Sequence, residues 1–288
     1  GFLVVDKPIG YSSFAVVKEL KKKLHLNKAG HTGTLDPFAS GVLVVALNKA
    51  TKVIQFLDEG KKEYLVTMEL GIETDTLDHT GKVLSEREVG EVSHEDIKEM
   101  LSTFSGSIVQ IPPIFSAKKI KGRTAYKYAR EGKAVELSPI NVEIFEIKLI
   151  EYIKPYLKVF IRCSKGTYIR SIVRDLGNLL KTGATATDLR RFSSGRFTLE
   201  DSISLNDLET SDWNKKIIPL EIALSGFKRL DLLEDFKLKI KNGIPPQGDW
   251  FLNKPSEAGK YFVLLKEECF ILLNYNKIDF KILRVVEF

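Results

Sequence analysis

Gly30-His31-Thr32-Gly33-Thr34-Leu35-Asp36-Pro37-Phe38-Ala39-Ser40-Gly41 runs without a break into Val42-Leu43-Val44-Val45-Ala46-Leu47. The second half is wholly apolar, as a strand buried on both faces must be. The first half is therefore a loop held at the rim of a core by a rigid element. Glycine admits backbone conformations that other residues resist, and the Asp36-Pro37 step restricts the chain at the carboxylate itself. The combination fixes one carboxylate in place. Spacing alone leaves two readings of Asp36: a cap for the turn or helix that Pro37 opens, or a reactive group.

Outward from this stretch, Phe2 to Asp6 reads as a strand that ends in the turn Lys7-Pro8-Ile9-Gly10. Ser12 or Ser13 caps a helix with an apolar stripe of Phe14, Val17, Leu20 and Leu24, its other face carrying lysines. The buried strand gives way to a helix reaching about Leu57 and closed by Gly60. Lys61 to Leu70 alternates, with Tyr64, Val66, Met68 and Leu70 on one face. The polar turn Gly71–Gly81 lacks the oxygen-ligand order of a calcium loop. Ser93 and Asp96 open a helix in the manner of a capping box. Asn141–Ile153 and Pro155–Ser164 pair as long strands, Gly166-Thr167-Tyr168 starts a helix through about Lys181, and Leu189–Phe197 is a further strand. Arg170 and Arg174, four apart, share one face of that helix. From about Lys228 the texture becomes that of a small β-rich domain. The expected class is α/β (α+β): a mixed, largely antiparallel sheet with flanking helices.

With 288 residues the chain has ample length for one large domain and a small one. No apolar run approaches the roughly 20 residues that span a bilayer. Neither a membrane location nor a signal peptide is expected, and Cys163 and Cys269, which lack metal spacing, suit a reducing cytoplasm. Net charge is +6, compatible with a polyanionic partner. Its distribution says more: Lys18, Lys21, Lys22, Lys23 and Lys28 precede the opening loop. Lys118, Lys119, Lys121, Arg123, Lys127, Arg130 and Lys133 crowd a segment interleaved with Phe115, Tyr126 and Tyr128. Cations for phosphates and rings for bases suit RNA, although lysine runs also serve as plain solvated faces. Ser116-Ala117-Lys118-Lys119 and Lys181-Thr182-Gly183 mimic a penicillin-recognising serine enzyme, but the intervening S-D-N is missing. No Walker loop, dinucleotide fingerprint or zinc spacing occurs, so no cofactor and no metal are expected.

Gly30-His31-Thr32-Gly33-Thr34-Leu35-Asp36-Pro37 resembles the signature of the TruB family of pseudouridine synthases, which convert uridine 55 in the T-loop of transfer RNA. Further motifs follow in family order: Lys7-Pro8-Ile9-Gly10 with Ser12-Ser13, Lys62-Glu63-Tyr64, Leu70-Gly71 through Thr74-Asp75-Thr76, and Asp78 to Gly81. Then come Gln110-Ile111-Pro112-Pro113 with Ser116-Ala117-Lys118, Ala129-Arg130-Glu131-Gly132, Gly166-Thr167-Tyr168-Ile169-Arg170-Ser171, and Leu189-Arg190-Arg191. Together they span about residues 2 to 197. Phe115 stands where the family usually has tyrosine, Phe192 where it has threonine, and Thr185 near a common histidine; these bear on individual RNA contacts rather than on the reaction.

The resemblance implies a synthase domain over 1–228, with a thumb insertion at about 110–137, and a PUA-like RNA-binding domain over 229–288. It makes Asp36 the catalytic carboxylate, Arg170 its ion-pair partner and Tyr64 the residue that packs on the target base. Leu189 and Tyr168 join the substrate pocket. His31, with Thr32 and Gly33, supports the opened RNA loop where the flipped nucleotide stood. Lys7 is placed among the substrate-binding residues, buttressing the tyrosine strand together with Pro8. Lys118, Lys119, Arg123 and Arg130 become thumb contacts to RNA. The implied partner is the T-arm of transfer RNA. The thumb argues for a stand-alone monomer without guide RNA, because the guide-dependent relatives lack this insertion.

Overall fold

The computed structural model describes residues 1–57, 60–120, 122–133, 135–209, 212–266 and 268–287. Lys121 of the basic segment lies outside these. The chain opens with β1 (Phe2–Lys7), α1 (Ser13–Lys23), β2 (Ala29–His31), β3 (Ser40–Leu47) and a 3₁₀ helix (Asn48–Phe56). Next come β4 (Lys62–Leu70), the β5 (Ile72–Thr74) and β6 (Val83–Glu86) pair, α2 (His94–Ser102) and β7 (Gly106–Gln110). The basic segment forms β8 (Lys119–Ile120), β9 (Arg123–Thr124) and α3 (Ala125–Arg130). They are followed by β10 (Ile140–Ile153), β11 (Tyr156–Cys163), α4 (Ile169–Leu179), β12 (Ala184–Ser194), β13 (Phe197–Thr198) and β14 (Ser202–Ser204). A short α5 (Leu220–Ala223) leads to β15 (Lys228–Arg229), α6 (Lys237–Lys241), β16 (Gly259–Leu265), β17 (Cys269–Tyr275) and β18 (Phe280–Glu287).

The main sheet runs β14-β1-β3-β12-β4-β11-β10-β7, with β2 on β3 and β13 on β12. It is mixed: β1–β14 and β3–β12 are parallel and the remaining pairs antiparallel. Every residue of β3 is buried, as its unbroken apolar run requires. In β4 burial alternates, with Tyr64, Val66, Met68 and Leu70 turned inward. One core under β4, β11 and β12 is closed by α2 and α4; another, beneath β1 and β3, is closed by α1. β15–β18 form a separate four-stranded sheet. Its Phe262, Phe270, Leu272 and Val286 join Phe2, Val4, Val42 and Val44 in one apolar cluster.

Three expectations are corrected. The buried face of α1 is Ser13, Val16, Val17 and Leu20, while Phe14 is 73 % exposed. The Ser13 hydroxyl sets that phase, because it donates to Leu35 O (3.0 Å) and accepts from Leu35 N (2.8 Å) inside the protein. The segment after β3 is 3₁₀ rather than α-helix, and begins at Asn48 with positive φ. β12 starts at Ala184, five residues before the expected Leu189, because its front half is held by pairing with β4 rather than by its own apolar pattern.

Candidate active site

Asp36 is placed from three sides. Ser13 on α1 holds Leu35, and the 36–39 turn closes with Ala39 N donating to Asp36 O at 3.1 Å. From β1, Lys7 Nζ donates to the carbonyls of Pro8 (2.9 Å), Tyr11 (2.6 Å) and Pro37 (3.5 Å), while Gly10 N also reaches Pro37 O (2.8 Å). This replaces the expectation that Lys7 buttresses the tyrosine strand. Lys7 lies on β1, separated from β4 by β3 and β12, and it braces the loop that bears Asp36. The lysine is fully buried, and burial lowers its pKa to about 8 against the opposing pull of Asp36.

Arg170, in the first turn of α4, is 4 % exposed and stands between two carboxylates. Its Nε reaches Asp36 Oδ2 at 2.9 Å and its Nη1 reaches Asp78 Oδ2 at 3.2 Å. Nη1 also donates to Thr76 O (2.5 Å) and Nη2 to Phe115 O (2.9 Å). Asp78 is buried and fixed through Oδ1, which accepts from the Thr76 hydroxyl (2.9 Å), Thr80 N (3.1 Å) and the Thr80 hydroxyl (2.5 Å). Asp36 differs from it. Its side chain is 33 % exposed, and Oδ1 has no hydrogen bond to the described residues. Burial pushes its carboxyl above the ordinary aspartate value, the Arg170 guanidinium opposes that push, and the Asp78 charge adds to it. One carboxylate oxygen is pinned and the other is open to a ligand.

Asp36, Tyr64, Tyr168, Arg170 and Leu189 line one hollow of about 240 Å³, bringing the five residues together. A second hollow, of about 530 Å³, adjoins the other side of Asp36 and Arg170, and is lined among others by Phe38, Phe115, Tyr126 and Arg130. Tyr64 and Leu189 come from adjacent strands. Burial raises the Tyr64 phenol pKa, and Arg191 counteracts it. Tyr168 caps α4, and the Gln110 side chain clamps its backbone, accepting from Tyr168 N (2.8 Å) and donating to Tyr168 O (3.1 Å). Burial, then the Arg191 charge, lowers the His31 pKa; its Nδ1 is buried without a partner among the described residues. Thr32 N is tied to Val44 O (3.1 Å) and Gly33 O accepts from Arg191 Nη2 (3.2 Å), so both hold the loop.

The basic segment is separate from the first hollow except at Ser116 and Ala117. Lys118 Nζ donates to Ser138 O (2.7 Å), Arg123 pairs with Glu131 and lies over Tyr128, and the Arg130 guanidinium sits 4.8 Å from the Tyr126 ring. Lys119 is exposed on β8. Pairs this exposed are weakened by solvent screening. Among the described residues no three His, Cys, Asp or Glu side chains converge as metal ligands would, and no helix is long and apolar enough to cross a membrane.

The profile of the TruB family pseudouridylate synthase N-terminal domain matches residues 21–169, and that of the tRNA pseudouridylate synthase B C-terminal domain matches residues 170–225. The chain belongs to the TruB family. It is 40 % identical to the tRNA pseudouridine synthase B of Clostridium tetani over 287 residues, 99 % of both chains. To the protein of the same name from Clostridium novyi it is 44 % identical over 244 residues, covering 85 % of this chain and 84 % of the other. Among solved structures it is similar to a Cbf5-Nop10-Gar1 complex, with TM-score 0.74 and 26 % identity over 99 % of this chain and 84 % of that one. A similar likeness, at TM-score 0.72 and 26 % identity over the same shares, links it to an H/ACA RNP bound to a substrate RNA containing 2′-deoxyuridine.

Within this TruB site, sequence reading assigned no role to Asp78 or Arg191, although both lie in quoted motifs. Asp78 carried a signal in Thr76-Leu77-Asp78-His79-Thr80, where hydroxyls two residues either side collect on one carboxylate. Arg191 carried none, since an arginine on a strand ordinarily reads as surface.

Proposed function

We propose that this chain isomerises uridine 55 in the T-loop of transfer RNA to pseudouridine, acting as a single chain without guide RNA. The observation that carries the reading is the Asp36 carboxylate, aimed by Arg170 into a hollow walled by Tyr64 and Leu189, in a chain alike over almost its whole length to enzymes named tRNA pseudouridine synthase B. The reaction breaks the N1–C1′ bond, turns the uracil and rejoins it through C5. The open Oδ1 of Asp36 attacks C1′, or takes the 2′ proton to give a glycal. Arg170 aims the carboxylate and opposes the push of burial toward its protonated form, and Tyr64 packs on the base. Flipping the nucleotide out of the loop costs a few kcal/mol of stacking, which His31 offsets by occupying the vacated place. The 110–137 segment, folded beside both hollows, and the β15–β18 sheet, read as a PUA-like domain, supply cationic surface for the T-arm.

The test is Asp36→Asn. The folded variant should bind a transfer RNA transcript as the parent does and release no tritium from 5-tritiated uridine, whereas turnover at the parental rate would sink the assignment. Parental activity in the purified chain alone tests the absence of a guide.

A further inference from the structure

Arg191 is a fully buried cation with no acid to answer it among the described residues. It lies on β12 with 1 % of its surface exposed, yet it is among the residues that line the 240 Å³ hollow. Among the described residues it makes no ion pair with Asp or Glu. Its partners are carbonyls: Nε donates to Val42 O (2.8 Å), Nη2 to Gly33 O (3.2 Å) and Nη1 to Thr34 O (3.4 Å). Arg170, by contrast, is answered by two carboxylates. Taking a guanidinium out of water without a counter-ion costs several kcal/mol, and carbonyl dipoles offset only part of it. Two of its five N–H groups remain after these three bonds. The ladder sets Arg191 directly opposite Tyr64, and its positive charge acts on that phenol. A cation kept under such conditions at a pocket wall suits negative charge that exists only during the reaction.

The proposed chemistry creates such a charge. When N1–C1′ breaks, the bonding pair leaves with the base, which becomes a uracil monoanion, its charge shared by N1, O2 and O4. After the base turns, a pair from C5 forms the C5–C1′ bond, C5 gives up its proton and N1 gains one, so the base ends neutral. Asp36 and its partner arginine stand on the sugar side, where a carboxylate cannot stabilise the anion. Resting on the reaction proposed above, we infer that Arg191, on the Tyr64 side, is the electrostatic partner of the detached base. A purely structural alternative is that Arg191 only staples Gly33 and Thr34 to β12.

Single-turnover rates of the full chain on a transfer RNA transcript separate the two. The comparison uses wild type, Arg191→Lys and Arg191→Gln, with uridine or 5-fluorouridine at the target, followed by loss of the target nucleoside from nuclease digests. Arg191→Gln should lose about a hundredfold in rate, the typical effect of removing one preorganised electrostatic donor, while RNA affinity is unchanged. Arg191→Lys, which keeps the charge, should regain most of that loss. Fluorine at C5 stabilises the base anion, so the gap between the Gln and Lys variants should narrow on the fluorinated RNA. Equal rates for the two variants, or a gap that fluorination leaves unchanged, would overturn the inference in favour of the staple. If Arg191→Gln does not fold, the same narrowing is read between wild type and Arg191→Lys. A wild-type chain inactive on uridine would instead defeat the proposed function itself.

Discussion

At the scale of single residues, the central fact is that Arg170 divides its guanidinium between a half-buried carboxylate and a fully buried one. Asp78 gives one oxygen to Arg170 and the other to the Thr76 and Thr80 groups that fix it, and Asp36 keeps an oxygen free. The price is that Asp36 is pushed upward by burial and by its like-charged neighbour. The folded state therefore favours the protonated form: any stabilisation from this residue is present at acid pH and fades as pH rises through its folded pKa. In the proposed reaction activity follows the ionised form, so the acid limb of the rate profile should lie above the ordinary aspartate value of about 3.9. Asp78→Asn removes one upward push. Its acid limb should move to lower pH while the maximal rate falls, because Arg170 loses an anchor; a pH series of single-turnover rates measures both, and an upward shift would contradict the account. The glycines and Pro37 made Asp36 legible as a fixed carboxylate, and the family resemblance singled it out as the reactive one. The sequence around Asp78 signals only a carboxylate between two threonine hydroxyls, since its pairing with Arg170 exists only once α4 brings that arginine beside it.

At the scale of elements, the contact between β3 and β12 determines where the site lies. Gly41 has φ +106°, and a Cβ there would stand 2.2 Å from Arg191 O. Only glycine permits both the backbone conformation and the approach. Gly41→Ala should cost several kcal/mol, read as a lowered melting temperature, together with loss of activity from displacement of Asp36 and Arg191. A variant that melts normally would show that the strands have slack. Strands with their own pattern were readable in advance: β4 by alternation, β10 and β11 as two long paired strands about a turn, and β3 by unbroken hydrophobicity. The front of β12, Ala184-Thr185-Ala186-Thr187, has no such pattern and owes its strand state to β4. The face of α1 was misread for a related reason: a buried serine that bonds a distant backbone looks polar in sequence.

At the scale of the whole molecule, two sheets share one apolar cluster. Phe262 and Phe270 stack with ring centroids 4.9 Å apart, and both join Phe2 and Val44 in the cluster that covers β1 and β3. The sequence showed the change of texture near Lys228, but not this joint, because a residue's partner across two sheets leaves no local trace. Calorimetry of the full chain should give one cooperative unfolding transition; two separated transitions would mean that the sheets melt independently.

The shared cluster has a consequence for how the chain can be divided. Had the carboxy-terminal sheet been a bead on a string, it could be cut off and transplanted, leaving a sound enzyme behind. Removing it here would strip the cover from the reverse side of β1 and β3, the strands that carry Lys7 and run out of the Asp36 loop. The appendage is part of the foundation, and the two sheets are to be handled as one piece.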